Sequence, residues 1–120
     1  MPELAPIEIC PDEVDLEGVG GVGGEPPPRY QVESAKTWIK VHARPVARMN
    51  YARDSYGLKH LAERGCDAHA CLETYVSNGA FILAALELGY RAIRSGGCNA
   101  VFNMVWIDWC RRGQDIPEGM

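Results

Sequence analysis

The chain has 120 residues, 47% of them hydrophobic and 23% charged, with a formal net charge of −4, the make-up of one ordinary globular domain. No apolar run approaches the ~18 residues of a membrane span, and the amino terminus carries acids where a secretory signal has a basic region, so the expected location is the cytoplasm. Five cysteines (Cys10, Cys66, Cys71, Cys98 and Cys110) is an odd number in such a chain, which points to reduced thiols and away from a disulfide framework.

Charge is unevenly placed. Residues 1–35 hold eight carboxylates against Arg29 alone, a balance of −7; residues 36–64 hold seven bases against two acids, +5; residues 65–120 come to −2. The acidic stretch also carries GVGGVGG from Gly18 to Gly24 and three consecutive prolines from Pro26. Glycine raises the entropy cost of ordering, and proline runs favour an extended backbone without internal hydrogen bonds. A flexible, solvated arm over residues 1–29 is expected, with a folded domain over 30–112 and a frayed end over 113–120. Such an arm either solubilises the chain or covers a basic surface, its own or a partner's.

Taken in chain order, the folded part begins with TWIKVHAR, Thr37 to Arg44. The alternation sets Lys40, His42 and Arg44 on one side against Ile39, Val41 and Ala43 on the other, which predicts a strand limited by Pro45. A helix from Ser34 would also bring Trp38, Val41 and His42 together, but the β-branched residues favour the strand. A helix follows from Asp54 or Ser55, with Leu58, Leu61 and Ala62 as its apolar stripe and Gly65 at its end. A second opens at Ser77 or Asn78 and runs through Phe81 and Leu88 to Gly89. It is apolar almost all round, which marks it as core. Two short strands flanking Ser95-Gly96-Gly97 then read as a hairpin. The predicted fold is α+β, two helices packed on a small antiparallel sheet or hairpin.

Helix, helix and hairpin is also the order of a winged helix-turn-helix. The second helix, however, offers only Asn78 for reading base edges, and the connection from Gly65 to Thr74 is much longer than that motif's turn. Backbone-directed nucleic-acid binding requires less: clustered bases and stacking aromatics. Lys40, Arg44, Arg48, Arg53, Lys59 and Arg64, with Tyr51 and Tyr56, form the candidate basic surface; the bland alternative is a solvated face paired with nearby acids. Cys66, His69 and Cys71 are weak zinc candidates, because three ligands in six residues leave a closed site one short and fit no common zinc template. A nucleophilic cysteine would need one of the histidines as its base, and no local signature places such a pair. No cofactor is expected and no catalytic residue is assigned.

SYGLKHLAER, YVSNGAFILAALELGYR and NAVFNM resemble segments of small proteins encoded by bacteriophages, plasmids and integrated mobile elements. The likeness covers about half of the chain and excludes the acidic arm. It implies a setting in which small acidic proteins work stoichiometrically, as inhibitors or adaptors of host machinery, CRISPR effectors included. The leading expectation is therefore a non-enzymatic interaction protein that binds a protein partner and inhibits a nucleic-acid-handling complex, anti-CRISPR-like in its mode. The alternatives are a nucleic-acid binder using the basic block 36–64 and a small zinc module or cysteine-dependent enzyme.

Overall fold

The structure is a computed structural model that describes residues 8–20, 24–64 and 75–106. A 3-10 turn, Pro11–Glu13, leads into two very short strands, β1 (Val14–Asp15) and β2 (Gly18–Val19); then come α1 (Arg29–His42), β3 (Ala43–Asn50), α2 (Ser55–Arg64), α3 (Asn78–Glu87), β4 (Ala92–Gly96) and β5 (Asn99–Trp106). The main sheet is antiparallel in the order β3-β5-β4, and β1 pairs with β2 separately. The fold is α+β, with three helices among the described residues where two were expected.

The additional helix replaces the strand predicted at Thr37–Arg44. Val32, Ala35, Trp38, Ile39 and His42 are buried on α1, the three- and four-residue spacing of a helical stripe. Val41, expected to face inward, is 63% exposed. A window opened at Thr37 leaves out Val32 and Ala35, the two residues that distinguish a period of 3.6 from one of 2. The Pro28 carbonyl receives the amides of Gln31 and Val32 at 3.1 and 3.2 Å, so the proline run ends as a helix start. The strand begins at Ala43, where the helix stops.

α3 is the central element. The Ser77 hydroxyl caps it by accepting the Ala80 amide at 3.1 Å, and the buried Gln31 side chain of α1 accepts the Ser77 amide at 2.9 Å. At its other end Gly89 has φ +97°, with Gly89 N–H donating to Leu86 O and Tyr90 N–H to Ala85 O, both at 3.0 Å, the paired bonds of a Schellman stop. Trp38 of α1, Phe81 of α3 and Phe102 of β5 form an aromatic series through the core, each step 6.1 Å between centroids.

The arm expected to be flexible contributes to this core. Ile9, Val14 and Val19 are buried; Ile9 N–H donates to Ala92 O at 2.8 Å and Val19 N–H to Cys98 O at 2.9 Å, while Glu8 bridges Ile93 on the outer edge of β4. Composition argued against order because the arm cannot build a core alone. It does not need to, since α3 and the β4–β5 hairpin supply the apolar surface. Its glycine at position 18 serves close approach: a Cβ there would overlap the Cys98 carbonyl, as one on Gly79 would overlap that of Asp15.

β3 is an irregular edge strand. Ala43, Arg44 and Pro45 pair in register with Trp106, Val105 and Met104, but the next pair is Asn50 with Phe102. Two asparagine side chains span the irregularity, Asn103 donating to Val46 O at 3.1 Å and Asn50 to Met104 O at 3.0 Å. Proline, bulge and arginine on one edge are devices that discourage pairing with a foreign strand. No helix among the described residues is long and apolar enough to cross a membrane.

Candidate functional site

α2 starts from a well-satisfied junction. Asp54 Oδ1 accepts the Gly57 amide at 2.9 Å, and the fully buried Ser55 hydroxyl accepts the Ala100 amide of β5 at 3.0 Å, so the first turn is capped and fixed to the sheet in two consecutive residues. Leu58, Leu61 and Ala62 then face the core, as their spacing predicts. This fixes the opposite side of α2, which carries Tyr56, Lys59, His60 and Glu63.

Lys59 departs from the sequence reading, which placed it on the basic surface. It is only 2% exposed. Its Nζ donates to Glu63 Oε2 at 3.2 Å, and it sits 4.5 Å from the ring centroid of Tyr75 and 5.4 Å from that of Tyr56. The same carboxylate oxygen accepts the Val76 amide at 3.3 Å, tying α2 to the segment that enters α3. An ammonium held by one carboxylate and two aromatic rings is an internal brace, and its charge is no longer available to a ligand. The rings themselves are exposed, Tyr56 by 50% and Tyr75 by 63%. His60 meets the Tyr56 ring edge-on at 4.3 Å and stands 3.4 Å from Glu63 Oε1.

The other expected site residues divide. Lys40, Arg44, Arg48 and Tyr51 are exposed, and no carboxylate occurs in sequence between Glu33 and Asp54. Arg53 is half-buried beside the first turn of α2. Arg64 closes α2, while Cys66, His69 and Cys71 lie outside the described residues. Among the described residues there is no group of three or more His, Cys, Asp or Glu placed to hold a metal, and Cys10 and Cys98 are exposed thiols. Tyr75 was missed by sequence reasoning. The available signal was an aromatic residue two places before a serine helix cap, but its relation to Lys59 is tertiary.

Asn78 and Asn99 sit at a structural joint. Asn78 Nδ2 donates to Glu17 O at 3.0 Å and to Asn99 Oδ1 at 2.9 Å, and Asn99 Nδ2 reaches Asp54 Oδ2 at 3.3 Å. One amide chain thus links the β1–β2 turn, α3, the β4–β5 hairpin and the start of α2. Asn78 Oδ1 is buried with no hydrogen-bond partner among the described residues.

A separate ion cluster joins α1 to α3. Arg29 donates to Glu87 at 2.8 and 2.9 Å and to Glu33 at 2.6 Å, and Lys36 lies 2.7 Å from Glu87. The guanidinium of Arg29, with the ammonium of Lys36, pulls the Glu87 carboxyl down to about 2. Bonding to Arg29 likewise lowers Glu33, and bonding to Glu87 raises Lys36. Every strong charge here is matched by a neighbour, as in a structural clasp.

The charge halves seen in sequence also separate in space. Of the described acidic arm, the 3-10 turn and the β1–β2 hairpin pack on α3 and Glu8 lies at β4, where it pairs with Arg91 at 2.9 Å, whereas Arg44 and Arg48 sit on β3 at the opposite edge of the sheet. Among the described residues, the arm is not paired with the basic β3 edge. No family model matches this chain, and neither characterised proteins nor solved structures provide a match.

Proposed function

We propose that the protein acts by binding, as a small interaction module of mobile-element type that engages a protein partner in a nucleic-acid-handling complex and inhibits it. The carrying observation is the pair Tyr56 and Tyr75, fixed on either side of the buried Lys59 ammonium with both rings at least half exposed. Tyrosine and arginine dominate the energetics of protein interfaces, and rings already held in place lose little freedom on binding.

Nucleic-acid binding through the basic block is less well supported. Lys59 is withdrawn into the brace and Lys36 into the Glu87 cluster, which leaves Lys40, Arg44 and Arg48 as the exposed bases of the block other than the half-buried Arg53 and the undescribed side chain of Arg64. The test is quantitative affinity capture with the wild type and the Tyr56→Ala/Tyr75→Ala variant. A partner retained by the first and lost by the second supports the reading; equal recovery, or none from either, contradicts it.

A further inference from the structure

The exposed bases Lys40, Arg44 and Arg48 adjoin or lie on β3, the edge strand opposite β4, where Glu8 lies. The 3-10 turn and the β1–β2 hairpin present Asp12, Glu13 and Glu17, all exposed. That hairpin is held firmly. Asp15 Oδ1 accepts the Glu17 and Gly18 amides at 2.9 and 3.0 Å, Gly79 N–H donates to Leu16 O at 3.2 Å, and Val14 and Val19 are buried beneath it. The acidic surface is thus preorganised, which lowers the entropy lost on docking.

The β1–β2 hairpin packs on α3 and β5 and is not paired with β3, so the two complementary surfaces are carried by separate elements of one molecule. Symmetric pairing through β3 would set Arg44 and Arg48 of one copy against the same arginines of the other, and Pro45 and the bulge disfavour it further. The outer edge of β4 is already occupied by Glu8. We propose that the basic β3 edge of one copy docks the acidic β1–β2 hairpin of a second copy, giving head-to-tail association. Such a contact is heterologous, so it leaves one basic and one acidic surface open and the assembly grows by addition. It is governed by exposed charges and so by ionic strength, the screening length falling from ~10 Å at 0.1 M to ~3 Å at 1 M salt. It is independent of the tyrosine face on α2.

The experiment is sedimentation velocity of the full chain in about 50 mM and about 500 mM salt. Four samples are compared: the wild type, Arg44→Glu/Arg48→Glu, Asp12→Lys/Glu17→Lys, and an equimolar mixture of the two variants. The expected result is a sedimentation coefficient that rises with concentration for the wild type in low salt and returns to the monomer value in high salt. Each variant alone has two like-charged surfaces and stays monomeric, while the equimolar mixture associates again in low salt because each supplies the charge that the other has lost. Circular dichroism checks that the variants fold; if either does not, Arg44→Gln/Arg48→Gln with the wild type gives the same test of the basic edge. A wild type that stays monomeric in low salt, association unaffected by salt, or variants that associate as the wild type does would each overturn the proposal. So would a monomeric wild type that retards single-stranded DNA or RNA in a salt-dependent way, which would make phosphodiester the occupant of the basic edge.

Discussion

The ammonium of Lys59 lies 4.5 Å from the ring centroid of Tyr75, a residue from the segment leading into α3, and this contact joins two helices through an exposed ring. The carboxylate of Glu63 completes the brace. Removing the carboxylate leaves a buried cation without its counter-charge, whereas replacing the lysine by a chain of similar length removes charge and desolvation together. Glu63→Gln is therefore expected to destabilise the protein by ~1.5–3 kcal/mol in urea denaturation, and Lys59→Met by less. The reverse order would show that the ammonium is not desolvated.

Glu87 supplies the pH dependence. Its carboxyl is drawn down to about 2 by Arg29 and Lys36, from the ordinary glutamate value of about 4.5. A group with a lowered folded pKa contributes stability that is complete above its unfolded pKa and is lost as pH falls through the folded one. Between about pH 4.5 and 2 the wild type should therefore lose stability more steeply than Glu87→Gln. Added salt should narrow the gap, because Arg29 and Glu33 are well exposed and their attraction is screened. Parallel acid-denaturation curves for the two proteins would contradict this.

Gly79 and Gly89 separate close approach from backbone freedom. Gly89 faces open space but has φ +97°, so alanine there should cost ~1–2 kcal/mol from the left-handed backbone alone. At Gly79 a Cβ meets the Asp15 backbone, and the β1–β2 hairpin must move away. Amide exchange at Ile9 and Val19 should accelerate in Gly79→Ala while that at Tyr90, which donates to Ala85 O inside the α3 stop, stays slow.

Phe81 is fully buried between Trp38 and Phe102. Phe81→Ala should cost ~3–5 kcal/mol by chemical denaturation. A loss under ~1 kcal/mol would place α3 outside the core.

These elements also indicate what sequence could reveal. α2, α3 and the β4–β5 hairpin carry their own signals: a 3.6-residue stripe, the serine cap at position 77, and glycines at positive φ at 89 and 97. α1 was obscured because eight residues satisfied both periods and the deciding Val32 and Ala35 lay upstream. Ile9, Val14 and Val19 are spaced five apart, matching neither period, and are buried against surfaces assembled from distant sequence. Lys59 looked like a surface base because a lysine one position off an apolar stripe normally reaches water. Its burial depends on Tyr75, sixteen residues away, and no local pattern contains that contact. The candidate site was thus only half legible: the exposed arginines were visible in sequence, and the brace that orders the tyrosines was not.

The proposed working surface is the face formed by Tyr56 of α2 and Tyr75 of the segment leading into α3. Its most direct test is capture of partner proteins from cells expressing tagged wild type or Tyr56→Ala/Tyr75→Ala, followed by titration of the recovered partner against both. Binding weakened by ~30-fold or more, with the fold unchanged by circular dichroism, is the predicted result, since truncating an interface anchor costs at least ~2 kcal/mol. Equal affinity for the wild type and the variant would contradict it.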